Sequence, residues 1–363
     1  MNRCVDLLII TDRQTGGVPV TTIDLARGLA ELGCNVTLLA DPEDGRGLLP
    51  DAIAAGVRHV AWPGQTSIAG LRMLWREVMA KPWTVVLSSH RGCDIAVHAA
   101  CALSGRRHAL VIHGDPAYEA AGTRFAALRT RLWRNAVGRS CVVVAISAFI
   151  AERTRRFFPR LPPIAVVPNA NARHPPAESP VSLPLGVRPR LVACGRIYDA
   201  KRPELLRPLV QALEQMGVVC EAVWVGGGER QAELQADAAT HGLADRVRFI
   251  GHHEDPWEEL RAGHLFVHFC TIEGFGLAII EALAAGLPVA AFAAGALPEL
   301  IADGREGVLA PAVDLAELAR RIAPLLSDPQ RHHAAASAAL ARAHDFTRAA
   351  MAEGYRRALL ESA

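Results

Sequence analysis

Short apolar runs and longer amphipathic stretches alternate along almost the whole chain. Residues 4–10, 35–40, 84–87, 109–112, 141–145 and 164–167 are hydrophobic segments of strand length, with helical patterns such as 18–32 and 68–79 between them. Strands that lack polar alternation are buried on both faces, so the pattern predicts parallel sheets covered by helices on either side. Between 172 and 190 the texture changes. Pro175, Pro176, Pro180, Pro184 and Pro189 interrupt a stretch of little hydrophobic content, as expected of a linker. The alternation restarts at 191–194, continues through 222–225, 247–250, 265–269 and 289–292, and gives way to helical segments at 315–326, 330–343 and 347–360. The expected class is α/β, with two doubly wound Rossmann-like domains facing a central cleft. Residues 1–178 form the first, 179–190 the linker and 191–346 the second, and a last helix, about 347–363, packs back on the first domain. No internal repeat is visible.

One stretch, 275–298, is apolar apart from Glu281, but Pro288 and several glycines break it. A bilayer span needs about 20 unbroken residues, so the stretch reads as a buried helix followed by a buried strand. The first apolar run contains Asp6 and leads into Thr11-Asp12-Arg13, unlike the uncharged core of a signal peptide. A cytoplasmic protein, or one peripheral to the inner face of the cell membrane, is therefore expected.

Composition removes other classes. At roughly 150 residues per domain, 363 residues predict two domains or three. A chain that is 51% hydrophobic and 21% charged is not disordered. With 39 Lys and Arg against 37 Asp and Glu, the net charge of +2 offers no global field for nucleic acid, which is not expected as a partner. The cysteines at 4, 34, 93, 101, 141, 194, 220 and 270 make no CxxC pair and no zinc-like spacing, so they read as reduced core residues and no metal site is expected from them.

In open parallel sheets, ligands bind beyond the carboxyl ends of the strands, where helix N-termini direct free N–H groups at anions. After the first strand, Gly16-Gly17-Val18 opens a helix; the glycines suit close backbone approach to a phosphate or sugar, or simply a tight turn. No GxGxxG is present, and Gly226-Gly227-Gly228 lacks a further glycine at the required spacing. The strongest signal follows 265–269, where Thr271-Ile272-Glu273-Gly274-Phe275-Gly276 precedes a helix beginning near Leu277. Glycine amides and the helix dipole suit a diphosphate, yet Glu273 would repel one unless its carboxylate faces something else, such as sugar hydroxyls. Glu281 lies farther along the same apolar helix, and a buried carboxylate needs donors, from a ribose diol or from an internal partner.

These residues carry a resemblance. Glu273-Gly274-Phe275-Gly276-Leu277 through Glu281-Ala282-Leu283-Ala284-Ala285-Gly286-Leu287-Pro288-Val289, with Gly295-Ala296-Leu297-Pro298-Glu299 and Asp303-Gly304, resembles the E-x7-E signature of the family 4 retaining glycosyltransferases of the GT-B fold. Val192-Ala193-Cys194-Gly195-Arg196 with Lys201 resembles that family's G-R-x4-K element. Val166-Val167-Pro168-Asn169 resembles its P-N-G turn, and His113-Gly114 its active-site histidine. The resemblance runs from the Gly16-Gly17 loop to about Val313.

The resemblance implies an acceptor-binding first domain and a second domain that holds a UDP- or GDP-sugar. Arg196 and Lys201 would neutralise the departing diphosphate, Glu281 would bind the ribose and Glu273 a hydroxyl of the transferred sugar. Gly195, Gly274, Phe275, Gly276 and Leu277 would line the donor with backbone amides, Gly16 and Gly17 would approach its phosphates, and His113 would lie near its sugar. The implied enzyme is a hexosyltransferase that retains anomeric configuration and requires neither metal nor other cofactor. Its acceptor would be a hydroxyl of a glycan or lipid-linked acceptor in cell-surface polysaccharide or lipopolysaccharide synthesis. A GT-B sugar-nucleotide epimerase or phosphorylase, and a non-catalytic nucleotide-sugar-binding subunit, are the alternatives. The chain departs from the family pattern at Ala170 and Ala294, where glycine is usual, at His268-Phe269-Cys270, where a Pro-Ser pair is frequent, and at Arg202, where glycine is common.

No acidic residue occurs between Glu119 and Glu152, while Arg124, Arg129, Arg131, Arg134 and Arg139 share a helical stretch with Phe125, Leu128, Leu132 and Trp133. Arg153, Arg155, Arg156, Phe157 and Phe158 extend it. Two readings stand: a basic amphipathic helix that meets anionic lipid headgroups, or a solvated arginine face over a packed apolar one.

Overall fold

Seven parallel strands form the sheet of the first of two compact units, which comprises residues 1–173 and 347–363. The structure is a computed structural model that describes residues 5–11, 17–43, 47–64, 66–120, 126–311 and 313–361. In the first unit the strands are β1 (Asp6–Ile10), β2 (Asn35–Ala40), β3 (Arg58–Ala61), β4 (Val85–Ser88), β5 (His108–Ile112), β6 (Val142–Ala145) and β7 (Ile164–Val166), in the order β3-β2-β1-β4-β5-β6-β7. The second unit, residues 174–346, has β8 (Arg190–Cys194), β9 (Glu221–Val225), β10 (Val247–Phe249), β11 (Leu265–His268), β12 (Val289–Phe292) and β13 (Gly307–Ala310), in the order β10-β9-β8-β11-β12-β13. Both are Rossmann-like α/β sheets, and their central strands are fully buried apolar runs because helices cover both faces. The strand order reverses between β1 and β4 in one unit and between β8 and β11 in the other.

Two strands escape the hydrophobic pattern. β3 is an edge strand of Arg58, His59, Val60 and Ala61, and β13 opens on Gly307, whose backbone lies so close to β12 that a Cβ would stand 1.8 Å from the Val289 carbonyl oxygen. The apolar stretch near 275–298 resolves into the helix Leu277–Ala284 and β12. The proline-rich segment, expected as a linker, lies along the second unit: Ala177 N–H donates to Ala284 O, Val181 N–H donates to Gly286 O, and Val181 and Leu183 are buried.

The helix Arg348–Glu361 belongs to the first unit, where it packs on the helix Gly17–Glu31. Two glycines permit the approach. A Cβ at Gly28 would meet Arg348 Cγ at 2.8 Å and Ala352 Cβ at 2.9 Å, and one at Gly354 would meet Val167 Cγ1 at 2.8 Å. Arg348 also pairs with Asp24 and, at 3.5 Å, with Glu31. Seven cysteines are free thiols; Cys4 lies outside the described residues.

Candidate active site

In the second unit, the turns beyond β9, β8, β11 and β12 stack side by side, and glycine makes that stacking possible. Gly195 follows β8 with φ 144° and Gly226 follows β9 with φ 139°. A Cβ on Gly226 would lie 2.1 Å from Gly195 O, one on Gly228 would lie 2.2 Å from Ile197 O, and one on Gly295 would lie 2.2 Å from Glu273 O. Trp224 Nε1–H donates to Gly195 O at 2.8 Å, and Ala296 N–H donates to Glu273 O at 2.9 Å. The backbones therefore form one continuous shelf at the reversal of strand order, where anion-binding crevices of such sheets lie. Sequence reasoning set Gly226 and Gly228 aside because they do not complete a dinucleotide fingerprint; their signal was the triple glycine directly after a strand.

On this shelf Lys201 Nζ donates to Glu273 Oε2 at 2.6 Å, joining the turn after β8 to the turn after β11. His268, the last residue of β11, places Nε2 at 3.1 Å from the same oxygen. Burial works against ionisation of Glu273, but the hydrogen bond from His268 and the Lys201 ammonium outweigh it and hold the carboxyl well below the usual carboxylate range. Burial lowers the Lys201 pKa and the Glu273 charge raises it, with a net rise, so Lys201 carries its proton at neutral pH. His268 is pushed down, by burial first and then by Lys201, and stays neutral.

The other expected residues divide. Arg196 is exposed, with its guanidinium 5.2 Å from the centre of the Tyr198 ring, so it is not drawn into the Lys201–Glu273 pair. Phe275 is buried against Phe346, edge to face at 6.0 Å, and its side chain belongs to the core. Gly276, at φ 107°, caps the helix Leu277–Ala284, and Glu281 lies half-buried farther along that helix. His268, Cys270 and Glu273 bring a nitrogen, a sulfur and an oxygen within 4.8 Å of one another, ligand types that suit a soft divalent ion. Lys201 already supplies a positive charge to that carboxylate, and a metal ion would have to displace it.

In the first unit the equivalent reversal joins other polar groups. Thr22, on the helix after β1, shares a 2.6 Å hydrogen bond with Ser89, which follows β4, and Ser89 Oγ lies 3.0 Å from Nε2 of His113, which follows β5. Desolvation, and then the nearby His90, pull the His113 pKa down to about 3, so the ring is neutral at pH 7. Gly17 begins the helix after β1, and Gly16 lies outside the described residues. No sequence signal marks the contacts of Thr22 and Ser89, since each is a lone hydroxyl beside a strand end.

Comparison with known proteins matches residues 179–342 to the family model for glycosyl transferases group 1 and residues 15–170 to the model for glycosyltransferase family 4. A D-inositol 3-phosphate glycosyltransferase of Thermobispora bispora is 30% identical over 95% of this chain and 90% of its own length. The lipopolysaccharide core biosynthesis mannosyltransferase LpsB of Rhizobium meliloti is 34% identical over 46% of this chain and 49% of its own, so this match spans about half of that relative. A GDP-mannose-dependent phosphatidylinositol monomannoside mannosyltransferase of Mycolicibacterium smegmatis is 32% identical over 40% of this chain and 41% of its own. Among solved structures, Anabaena Alr3699/HepE in complex with UDP-glucose superposes with a TM-score of 0.79 at 22% identity, covering 98% of this chain and 100% of that one. The lipopolysaccharide outer core galactosyltransferase WaaB gives 0.75 at 14% identity over 98% and 99% of the two chains. With two family models laid end to end and a relative aligned over nearly its whole length, the chain belongs to the family 4 glycosyltransferases of the GT-B fold.

Proposed function

We propose that this protein transfers a hexose from a UDP- or GDP-sugar to a hydroxyl of a glycan or lipid-linked acceptor in cell-surface polysaccharide or lipopolysaccharide assembly, with retention of anomeric configuration and without a metal. The observation that carries the reading is the glycine shelf of the second unit with Lys201 and Glu273 paired on it at 2.6 Å. A cation and a carboxylate side by side, over backbones with no room for side chains, suit a ligand that is anionic at one end and hydroxylated at the other. Lys201 and Arg196 take the diphosphate, Glu281 the ribose, and Glu273 a hydroxyl of the sugar. The neutral ring of His113 offers sugar hydroxyls hydrogen bonds rather than charge. In the reaction the acceptor oxygen bonds to the anomeric carbon as the bond from that carbon to the diphosphate breaks, and the leaving phosphate takes the acceptor's proton. Stabilising the departing charge is the main catalytic need, and Lys201 and Arg196 supply it without a divalent ion. The names of relatives point to both GDP-mannose and UDP-glucose, so the donor base is part of the test.

The partner surface on the first unit is proposed to be an anionic membrane. The helix Ala126–Gly138 exposes Leu128 and Leu132 beside Arg129, Arg131 and Arg134, while Trp133 is buried in the core. Residues 121–125, which include Arg124 and Phe125, lie outside the described residues. A second apolar row stands on the helix Ile68–Met79, where Ile68, Leu71, Trp75 and Met79 are 72%, 44%, 42% and 46% exposed at helical spacing. Among the described residues, no helix is long and apolar enough to cross a membrane.

The donor reading is tested by thermal denaturation with UDP, GDP, ADP and their sugars, since a ligand that binds only the native state raises its melting temperature with occupancy. UDP or GDP raises it in the wild type. Lys201→Ala loses a charge-assisted phosphate contact of about 1.5–3 kcal/mol, and so about tenfold or more in nucleotide affinity. Undiminished nucleotide affinity and turnover in Lys201→Ala would refute the assignment.

A further inference from the structure

Lys201 and His268 hold the same oxygen of Glu273, at 2.6 Å and 3.1 Å, but they differ in their freedom to leave it. Lys201 is a long side chain on a turn after β8, and its side chain is 19% exposed. His268 ends β11, is 4% exposed, and has its ring stacked on Phe266 with planes 20° apart. On the reading given above, Lys201 turns to the donor diphosphate when the nucleotide-sugar binds. Glu273 then loses one of its two side-chain donors among the described residues, and a buried carboxylate with none left is unstable in place. His268 has no comparable freedom, because its backbone is paired in the sheet and its ring is enclosed. Being neutral, it supports Glu273 through an N–H donor without adding charge. Both donors found among the described residues fall on Oε2, which leaves Oε1 to accept from a hydroxyl.

We propose that His268 is a positioning residue: it holds Glu273 Oε2 in the donor-bound state, after Lys201 has moved to the phosphates, and so fixes Oε1 for a hydroxyl of the transferred sugar. It acts through Glu273 and does not itself touch the donor.

The test separates binding from chemistry. His268→Leu preserves the apolar character of β11 and removes the N–H, whereas His268→Gln keeps an N–H near the reach of Nε2; melting curves confirm that both variants fold. Affinity is measured for UDP and GDP, and turnover, as transfer or slow donor hydrolysis, for UDP-glucose and GDP-mannose. The expected result is a kcat lower by roughly tenfold or more in His268→Leu, the size of effect that follows the loss of one hydrogen bond to a charged group. Nucleotide affinity stays within about twofold of wild type, and His268→Gln recovers most of the loss. A His268→Leu kcat within about twofold of wild type, an equal loss in nucleotide affinity, or a His268→Gln variant as slow as His268→Leu each overturns the inference while leaving the donor site intact. If the wild type binds neither UDP nor GDP, the donor-site reading itself falls and this inference falls with it.

Discussion

Asp94 is buried with both carboxyl oxygens engaged. Ser88 Oγ donates to Oδ1 at 2.6 Å and Trp133 Nε1–H to Oδ2 at 2.9 Å, while Ser88 Oγ in turn lies 2.9 Å from His108 Nε2. When Asp94 is ionised the Ser88 hydroxyl proton is spent on it, and His108 is then the donor in the last contact, with its proton on Nε2. Desolvation outweighs the hydrogen bonds and raises the Asp94 pKa from 3.8 to about 7. A carboxyl whose folded pKa is raised adds stability below its unfolded value, and that contribution is lost as pH rises through about 7. His108, pulled down to about 3 by burial, acts in the opposite sense: its contribution is present above 6.5 and lost as pH falls toward 3. Asp94→Asn replaces the single O–H of the neutral acid that prevails at pH 5 by an N–H₂ with two hydrogens, of which Ser88 Oγ can accept one, a loss of roughly 1–3 kcal/mol at pH 5. Since the variant does not titrate, its deficit relative to wild type narrows between pH 5 and pH 8, as urea denaturation at the two values will show. A deficit that is flat or widens contradicts the raised pKa. The same scale marks what the sequence conceals. Lys201 and Glu273 were nameable because charge beside glycine after a strand is a chemical signal, but nothing in the one-dimensional pattern joins His268 to Glu273. Arg202 stood out in the sequence only as a residue where glycine is common, and its φ of 51° gives the reason glycine suits that site.

Among the elements, the contact between Gly17–Glu31 and Arg348–Glu361 is decided by one missing side chain. On helix propensity alone, Gly28→Ala should stabilise the protein by about 0.5–1 kcal/mol. The added Cβ, however, would lie 2.8 Å from Arg348 Cγ and 2.9 Å from Ala352 Cβ, and the second of these is fixed to the backbone. Relief requires the C-terminal helix to move, which disturbs the buried side of the Arg348–Asp24 pair, and overpacking of this kind costs about 1–3 kcal/mol. The prediction is therefore a net loss of about 1–2 kcal/mol in chemical denaturation, and a gain would mean that the helices do not meet this closely. Central strands such as β1, β4 and β11 were legible because burial on both faces leaves uninterrupted hydrophobic runs. β3 was not, because as an edge strand it tolerates Arg58 and His59. Proline content alone marked the segment after Ala172 as a tether, whereas its backbone N–H groups at Ala177 and Val181 find carbonyl partners on the second unit.

For the molecule as a whole, a net charge of +2 says little, because the first unit sorts its charge by face. The helix Arg91–Ser104 packs against both Ile68–Met79 and Ala126–Gly138. Across these three helices the described acidic residues, Glu77 and Asp94, are buried, whereas Arg72, Arg76, Arg129, Arg131 and Arg134 are exposed beside Ile68, Leu71, Trp75, Leu103, Leu128 and Leu132. A second copy of the same face would meet it with like charge, but lipid phosphates would not. Each arginine near an anionic leaflet contributes about 1 kcal/mol, and each partly inserted apolar side chain adds a further 1–2 kcal/mol. Neither row alone gives a durable hold, since surface charge is screened within a Debye length and four partly exposed side chains bury little area. Sedimentation with phosphatidylcholine vesicles, with and without an anionic lipid, should therefore show binding only to the anionic ones, weakening as salt rises from about 0.1 to 0.5 M. Leu71→Ser with Trp75→Ser should weaken that binding at every salt concentration without changing the steepness of the salt dependence, because it removes insertion and leaves the arginines. Equal sedimentation with neutral and anionic vesicles would remove the electrostatic basis, and an unaffected double variant would confine the contact to the arginine helix.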